Sequence, residues 1–228
     1  MERHHFEEEL QTLRQRLLQM GAMVEERVHR AVKSLVNRRP EEAERVVSSD
    51  AEVNELQIDI DARCLRLLAL QQPAASDLRL ITSTMKINDD LERIGDQAVN
   101  IAENVLRRLP HPPLKPLIDI PRMAEIAERM TRDALDAFVR RDAELARDVL
   151  RRDDEVDDLK DQVFRELLTY MMADPGTIQR ALSLILISRH LERIADHATN
   201  IAEGVVFFVE AKDVRHHHEN GPGSTGAP

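Results

Sequence analysis

The chain has 228 residues, of which 42% are apolar and only 3% aromatic, and its formal net charge is −10. This charge excludes a typical nucleic-acid-binding protein, because the sequence carries no basic stripe or aromatic platform to overcome repulsion by the phosphate backbone. A single cysteine, Cys64, excludes an intrachain disulfide, and the longest apolar stretch, "ALSLILIS" from Ala181, is far shorter than the roughly 20 residues of a membrane span. Since the first residues, "MERHHFEEEL", lack the pattern of a secretory signal, we expect a cytoplasmic protein.

Abundant Leu, Ala, Arg, Glu and Asp are typical of long helices rather than sheets. Apolar periodicity predicts six helices, which in chain order span 5–37, 40–71, 75–109, 120–140, 142–172 and 176–211. Pro40 and Pro175 suit a first helical turn, and Asp174 is the predicted N-cap before Pro175. Between the third and fourth helices, "LPHPPLKPLIDIPR" contains five of the ten prolines and predicts a connection without continuous helix.

The sequence repeats itself. "LERIGDQAVNIAE" from Leu91 recurs as "LERIADHATNIAE" from Leu191, with ten of thirteen letters identical. The second helix of each half repeats at an offset of 103 residues and places an apolar residue every seven positions: Val46, Val53, Ile60 and Leu67, then Val149, Val156, Val163 and Tyr170. This duplication predicts an all-α fold of two tandem, structurally similar three-helix bundles. We expect the first bundle at 1–110, a Pro-rich linker at 111–121, the second bundle at 122–212 and a disordered tail at 213–228.

The third helix of each half carries oxygen-bearing side chains opposite its apolar stripe. They are Glu92, Asp96, Asn100 and Glu103 in the first half, and Glu192, Asp196, Asn200 and Glu203 in the second. The second helix adds a pair spaced by four residues, Asp50 with Asn54 and Asp153 with Asp157. If these helices pack side by side, the carboxylates converge and repel one another unless a cation or a basic partner neutralises them.

Oxygen ligands without cysteine favour ions such as Mg²⁺, Mn²⁺ or Fe over a structural Cys/His zinc site, so we predict one multinuclear metal site per bundle. A bare solvated face is the alternative, in which Arg93 and Arg193 neutralise the acids through surface ion pairs of small energy. Repetition favours the metal site, because a duplicated core needs only its apolar positions to persist.

Three other patterns are weaker. Glu26 and His29 have the E-x-x-H spacing of di-iron bundles, but their counterparts are arginines, so a surface histidine is the better interpretation. His190 could be imagined as a phosphoryl acceptor, yet its counterpart is Asp90 and no glycine-rich loop is present to bind a nucleotide. His197 is either an extra ligand of the second site or a polar surface residue.

Several segments resemble the PhoU family of phosphate-uptake regulators. They are "QQPAASDLRLITSTMKINDDLERIGDQAVNIAE" from Gln71, "LLTYMMADPGTI" from Leu167, "HLERIADHATNIAE" from His190 and "FFVEAKDVRH" from Phe207. The resemblance runs from about residue 8 to His216. It implies two three-helix bundles and a repeated E(D)-x-x-x-D motif that binds multinuclear clusters of iron or zinc, with manganese or magnesium also possible.

Carried onto this sequence, that motif implies the metal ligands Asp50, Glu92, Asp96, Asp153, Asp157, Glu192 and Asp196. The match fails at Asn54, where an amide replaces the second carboxylate and the first site has one negative charge fewer. The resemblance implies a non-catalytic, homodimeric negative regulator of phosphate uptake and of the phosphate regulon. Its partners would be the ATPase of the phosphate ABC transporter and a sensor histidine kinase, and it would meet the membrane only through them.

Two alternatives stay open. The first is a metal-independent helical scaffold, whose acidic faces bind partners directly. The second is a metal-dependent phosphohydrolase, which would need an open coordination position and an enclosing pocket. We rank the hydrolase last, because convex helix faces rarely supply a pocket.

Overall fold

The computed structural model describes residues 2–71 and 73–211, and every regular element within them is helical. The first half contains α1 (Glu2–Asn37), α2 (Pro40–Ser48), α3 (Asp50–Gln71) and α4 (Ala75–Arg108). The second half contains α5 (Asp119–Arg140), α6 (Ala143–Arg151), α7 (Asp153–Ala173), a single 3₁₀ turn (Pro175–Thr177) and α8 (Ile178–Glu210). The predicted all-α fold is confirmed. No helix of the described residues is long and apolar enough to cross a membrane.

Both halves turn their first corner in the same way. A residue with left-handed backbone follows the first helix in each, Arg38 with φ 53° and Arg141 with φ 55°. Pro40 then begins α2, whereas the side chain of Asp142 caps α6 by accepting hydrogen bonds from the N–H groups of Glu144 and Leu145, each at 3.0 Å. The repeated sequence therefore folds into a repeated geometry.

The second helix of each half is broken, which corrects the prediction of single helices at 40–71 and 142–172. The breaks fall at Ser49 and Arg152, so α3 and α7 begin at Asp50 and Asp153. Side-chain bonds tie both corners to neighbouring elements: Arg27 donates to the carbonyl of Ser49, and Arg152 donates to the carboxylate of Asp133. The apolar seven-residue repeat continues across both breaks, which is why periodicity did not reveal them.

The connection between the halves comprises residues 109–118 and overlaps most of the predicted linker at 111–121. Helix α4 ends at Arg108 and α5 begins at Asp119, which places Pro121 in the first turn of α5, where a missing N–H breaks no helical bond. Asp174 accepts a hydrogen bond from the N–H of Gly176 at 2.8 Å, as its predicted N-cap role requires. The predicted tail at 213–228 lies outside the described residues.

Helices α4 and α8 form the centre of the core. Their apolar stripes are fully buried: Ile87, Leu91, Ile94, Ala98, Ile101 and Val105, and Ile187, Leu191, Ile194, Ala198, Ile201 and Val205. The seven-residue rows of the second helices are buried too, except that Tyr170 is half-buried and Leu167 takes the inner position. Helix α4 also packs directly on α8, so the two bundles share one continuous core.

Two polar pairs show how α4 and α8 are related. His197 Nδ1 lies 2.9 Å from Asp90 Oδ1, and His190 Nδ1 lies 2.8 Å from Gln97 Oε1. Asp90 is the counterpart of His190 and Gln97 of His197 at the 100-residue offset, so each pair is the exchanged image of the other. The two helices therefore run antiparallel about a local pseudo-twofold axis.

Candidate metal centre

The two helix breaks position the first acid of each predicted site. Asp50 is the first residue of α3 and Asp153 is the first residue of α7, where the helix dipole favours a negative charge. Each of these helices packs on the third long helix of its own half, α3 on α4 and α7 on α8. The carboxylates predicted on separate helices are thereby brought together at two places, one in each bundle.

We call Asp153, Asp157, Glu192 and Asp196 the second cluster. Burial and then the neighbouring carboxylates of Asp196 and Asp157 raise the pKa of Asp153 to about 6. Burial and then Glu192 and Asp157 likewise raise the pKa of Asp196. The four carboxylates of the second cluster therefore repel one another.

Lys160 lies within the second cluster. Its Nζ is 2.9 Å from Asp157 Oδ1 and 3.2 Å from Glu192 Oε1. Burial lowers the pKa of Lys160, but hydrogen bonds and Coulomb attraction from Asp157 and Glu192 outweigh it and raise the pKa above its usual range. The Lys160 side chain is 29% exposed, so its flexible stem can move the ammonium group into solvent.

We call Asp50, Glu92 and Asp96, together with Asn54, the first cluster. Burial and then Asp50 raise the pKa of Asp96, whereas Arg27 lowers it. Burial and then Asp96 raise the pKa of Glu92, opposed by Arg93. The three carboxylates therefore repel one another, but a cation already acts on each of them: Arg27 on Asp50 and Asp96, and Arg93 on Glu92.

Arg27, on α1, is the principal cation of the first cluster. It is only 4% exposed, and its Nη1 lies 3.5 Å from Asp50 Oδ1. Its Nη2 donates to the carbonyl of Ser49, and the Asn54 amide donates to Asp50 Oδ2 at 3.2 Å. A buried guanidinium held from two sides cannot swing away as Lys160 can, so the first cluster is neutralised from within the protein.

Sequence reasoning missed both cations. At the 103-residue offset the counterpart of Arg27 is Met130, which is fully buried, and the counterpart of Lys160 is Gln57. The repeat itself contained a signal for both cations. Each is a charged residue whose counterpart in the other copy is apolar or neutral, so the duplicated core does not explain it. The two clusters are thus matched in their acids and differ in their cations.

The remaining residues of the predicted acidic faces have other contacts. Glu103 forms an ion pair with Arg107 at 2.8 Å, and Asn200 donates across the bundle interface to Asp90 at 3.2 Å. Glu26 pairs with Arg30, and His29 Nδ1 lies 3.6 Å from Glu128, which disfavours the di-iron interpretation.

The two histidines considered above face the other bundle. His190 is half-buried against Gln97, and burial followed by the nearby arginines Arg193 and Arg189 lowers its pKa. His197 bonds to Asp90 rather than to a carboxylate of the second cluster.

The fit of the clusters to a metal differs between the bundles. Within the described part of the chain, no three His, Cys, Asp or Glu side chains are already arranged as metal ligands. The second cluster nevertheless offers four carboxylates, and among the described residues Lys160 is the one side chain that forms ion pairs with them. Carboxylates are the donors that Mg²⁺, Mn²⁺ and Fe accept. The first cluster has one carboxylate fewer and contains the fixed charge of Arg27, so its residues fit a metal poorly.

Both halves of the chain match one known protein family. A family model described as "PhoU domain" matches residues 17–105 and again 120–205. The "Phosphate-specific transport system accessory protein PhoU homolog" of Aquifex aeolicus is 42% identical over 210 residues, covering 92% of this chain and 95% of that protein. The "Phosphate-specific transport system accessory protein PhoU" of Escherichia coli is 37% identical over 213 residues, covering 92% and 88%.

Solved structures agree in fold. "Crystal structure of PhoU from Pseudomonas aeruginosa" superposes with a TM-score of 0.88 at 42% identity, covering 91% of this chain and all of that one. The "phosphate transport system regulatory protein PhoU" from Streptococcus pneumoniae superposes with a TM-score of 0.84 at 32% identity, covering 92% and 99%. The double match of the family model coincides with the two halves of the repeat.

Proposed function

Because the chain belongs to the PhoU domain family, we propose that it regulates phosphate uptake as an accessory protein of a phosphate-specific transport system. The observation that carries this proposal is the identity of about 40% over nine-tenths of the chain to proteins that bear that description. The proposed role is regulatory rather than catalytic, and it is negative: the protein restrains uptake and the phosphate regulon when phosphate is plentiful. We propose a cytoplasmic location for it.

The proposed mode of action is that of an adaptor between the transporter ATPase and a sensor histidine kinase. Two structural features support it. The acidic clusters lie on helix faces, where a basic surface of a partner can approach them. In addition, α7 exposes an apolar row, Phe164, Leu168 and Met172, that core packing does not require. We propose a homodimer as well, with this row as the candidate contact between two copies.

A metal ion would bind at the second cluster. Asp153, Asp157, Glu192 and Asp196 would hold it after Lys160 moves out, and its positive charge would relieve the repulsion between these carboxylates. An all-oxygen ligand set suits iron, manganese or magnesium, and zinc remains within the proposal because it also accepts carboxylates. The residues of the first cluster do not fit such an ion, since Arg27 already supplies the charge.

Binding to partners tests the adaptor role directly. The purified full-length protein would be used to capture the transporter ATPase and the kinase from membranes of cells grown at high and at low phosphate. We expect capture of both, with a difference between the two growth conditions. A Phe164→Lys variant tests the apolar row. If this row forms the dimer contact, the variant should have the mass of a monomer in solution. Absence of both partners under both conditions would contradict the proposal.

A metal-independent scaffold is the second candidate, and one observation favours it: each acidic cluster already has an ion pair with a basic side chain, Arg27 or Lys160. Repeating the capture in the presence of a chelator distinguishes the two. Partner binding that is unchanged by chelation and by Asp196→Asn supports the scaffold. Partner binding that is lost in both cases supports the metal-dependent adaptor.

A further inference from the structure

Three arginines meet at one end of the molecule, away from the acidic clusters. Arg38 follows the last residue of α1, Arg108 is the last residue of α4, and Arg180 lies in the first turn of α8. Arg38 donates a hydrogen bond to the carbonyl of Leu109, the residue after Arg108, and both Arg38 and Arg180 repel the guanidinium of Arg108. We call Arg38, Arg108 and Arg180 the arginine cluster.

Arg108 is buried, at only 3% exposed, yet part of its guanidinium has no partner. Its Nε and Nη2 are both buried and make no hydrogen bond. The N–H groups of these two atoms lie on one edge of the planar group, and this edge can donate two parallel bonds to two oxygens of a carboxylate or a phosphate. An unfilled pair of parallel donors is the feature that points to a ligand.

No acid compensates this charge among the described residues. Burial, then Arg38 and Arg180, lower the pKa of Arg108, and no carboxylate is among the groups that act on it. Arg38 donates its Nη2 to two backbone carbonyls in the connection between the halves, those of Leu109 at 2.7 Å and His111 at 3.0 Å. Three positive charges are therefore concentrated in a protein whose net charge is −10.

The position of Arg108 at the end of α4 accounts for only part of this arrangement. A helix C-terminus favours a cation, so the charge itself is tolerated there. The helix dipole, however, provides no acceptor for the buried Nε and Nη2 groups, and an unpaired buried charge is costly. No group among the described residues accepts a hydrogen bond from these two N–H groups.

The other half of the molecule shows that the core does not require an arginine here. The counterpart of Arg108 is Phe208, whose ring packs 5.6 Å from that of Phe138. The counterpart of Arg38 is Arg141, which lies 5.3 Å over the Phe208 ring, and the counterpart of Arg180 is the buried Leu80. One end of the molecule is thus closed by apolar packing, whereas the other end gathers three guanidinium groups.

We propose that the arginine cluster binds a small oxyanion of the phosphate class, held by the Nε and Nη2 edge of Arg108 and neutralised by Arg38 and Arg180. A doubly charged oxyanion matches three cations better than a single carboxylate does. Arg38 is exposed and bonded to the connection between the halves, so it would meet the anion from the solvent side. This site goes beyond the proposed function and does not depend on it, because it involves neither the acidic clusters nor a partner.

Anion binding would be measured on the full-length protein in chelator, by calorimetric titration with inorganic phosphate and by thermal unfolding at constant ionic strength. We expect the melting temperature of the wild type to rise with phosphate concentration and not with chloride at equal ionic strength. Arg108→Met should weaken phosphate binding at least tenfold. Without phosphate it should melt above the wild type, since a buried unpaired charge is removed.

Matched variants separate the site from general electrostatics. Arg180→Gln and Arg38→Gln should each weaken phosphate binding several-fold, whereas Arg141→Gln, the counterpart of Arg38 at the apolar end, should bind as the wild type does. These variants also test the site if Arg108→Met fails to fold. Asp196→Asn should bind phosphate normally, which separates this site from the second cluster.

Comparison of anions identifies the source of the ligand. Tighter binding of inorganic phosphate than of phosphoserine indicates a free anion, and the reverse order indicates a phosphoryl group carried by a larger molecule; equal binding of sulfate indicates a general oxyanion site. All three results support the proposal. Equal stabilisation by chloride, or full phosphate binding by Arg108→Met, would overturn it. Because no partner protein is used, these results are independent of the capture experiment.

Discussion

Arg27 Nη1 lies 3.5 Å from Asp50 Oδ1 in the first bundle, where the second bundle has Met130 at the equivalent position. The first cluster therefore contains a buried arginine, whereas the cation of the second cluster is the partly exposed Lys160. The role of each cation can therefore be tested by replacing a residue of one cluster with its counterpart from the other.

The first prediction concerns Arg27→Met combined with Asn54→Asp, which gives the first cluster the four carboxylates of the second and the counterpart of Met130. We expect the variant to bind metal at two clusters instead of one, because the fixed charge is gone and the fourth carboxylate is restored. Equilibrium dialysis against Mn²⁺ with elemental analysis measures the stoichiometry. Without metal, Arg27→Met alone should lower the free energy of unfolding by about 1–3 kcal/mol, less than for a fully buried pair because Asp50 is partly exposed.

The control for that exchange is Arg93→Gln, which removes an exposed cation near Glu92. Its metal stoichiometry should stay at the wild-type value. Wild-type protein that already binds metal equally at both clusters would contradict the assignment of Arg27.

A second prediction concerns Lys160→Gln, which introduces the residue of the first bundle. Metal no longer has to displace an ammonium group from Asp157 and Glu192, so we expect affinity at the second cluster to increase about tenfold, equivalent to about 1.4 kcal/mol. Titration calorimetry with Mn²⁺ would measure it. Unchanged affinity would show that Lys160 does not compete with the metal.

The third prediction is a pH dependence of stability without metal. An unfolded aspartate has a pKa of about 3.9. Folded Asp153 keeps its proton up to about pH 6, because its pKa is raised. The folded state therefore binds more protons in this window, and the free energy of unfolding should decrease as pH rises from about 4 to about 6. Asp196, whose pKa is also raised, contributes with the same sign.

Urea unfolding in chelator at a series of pH values checks this effect. The free energy of unfolding of the wild type minus that of Asp153→Asn should be largest near pH 4. It should fall as the pH rises and stay constant above about pH 6. Asp158→Asn, on the exposed side of the same helix, is the control and should follow the wild type. A difference between wild type and Asp153→Asn that does not vary with pH would be incompatible with the raised pKa.

The fourth prediction concerns the interface between the bundles. Asp90→Ala removes the acceptor of both His197 and Asn200, so we expect a loss of about 1–2 kcal/mol in the free energy of unfolding. Gln97→Ala removes the single contact with His190 and should cost about half as much. Equal effects of the two substitutions would show that Asn200 contributes nothing to this interface.

The sequence was sufficient where a pattern repeats with the helical period. Buried rows such as Ile87, Leu91 and Ile94 identified the central helices, and the duplicated motif led to the family that the comparisons confirm. It was insufficient where tertiary contacts decide. Apolar spacing continues through Ser49 and Arg152 although the helices do not, because the bends are held by side chains from other elements.

The candidate site also has one part that the sequence predicted and one part that it did not. Convergence of Asp153 with Asp196 followed from spacing on neighbouring helices, since both positions are fixed by regular geometry. Arg27 could not be found in that way, because the duplicated acidic motif does not extend to α1 and the contact of Arg27 with Asp50 arises from packing between distant elements. The proposed domain boundaries and the metal itself stay predictions.

The pseudo-twofold arrangement of α4 and α8 frees this protein from a restriction that governs true dimers. When two identical chains assemble, every mutation appears twice, so both sides of the assembly must change together. Here the two sides are encoded by different stretches of one gene product, and each can specialise alone. A single molecule can therefore present two different faces at once and bridge two unlike neighbours without recruiting a second subunit.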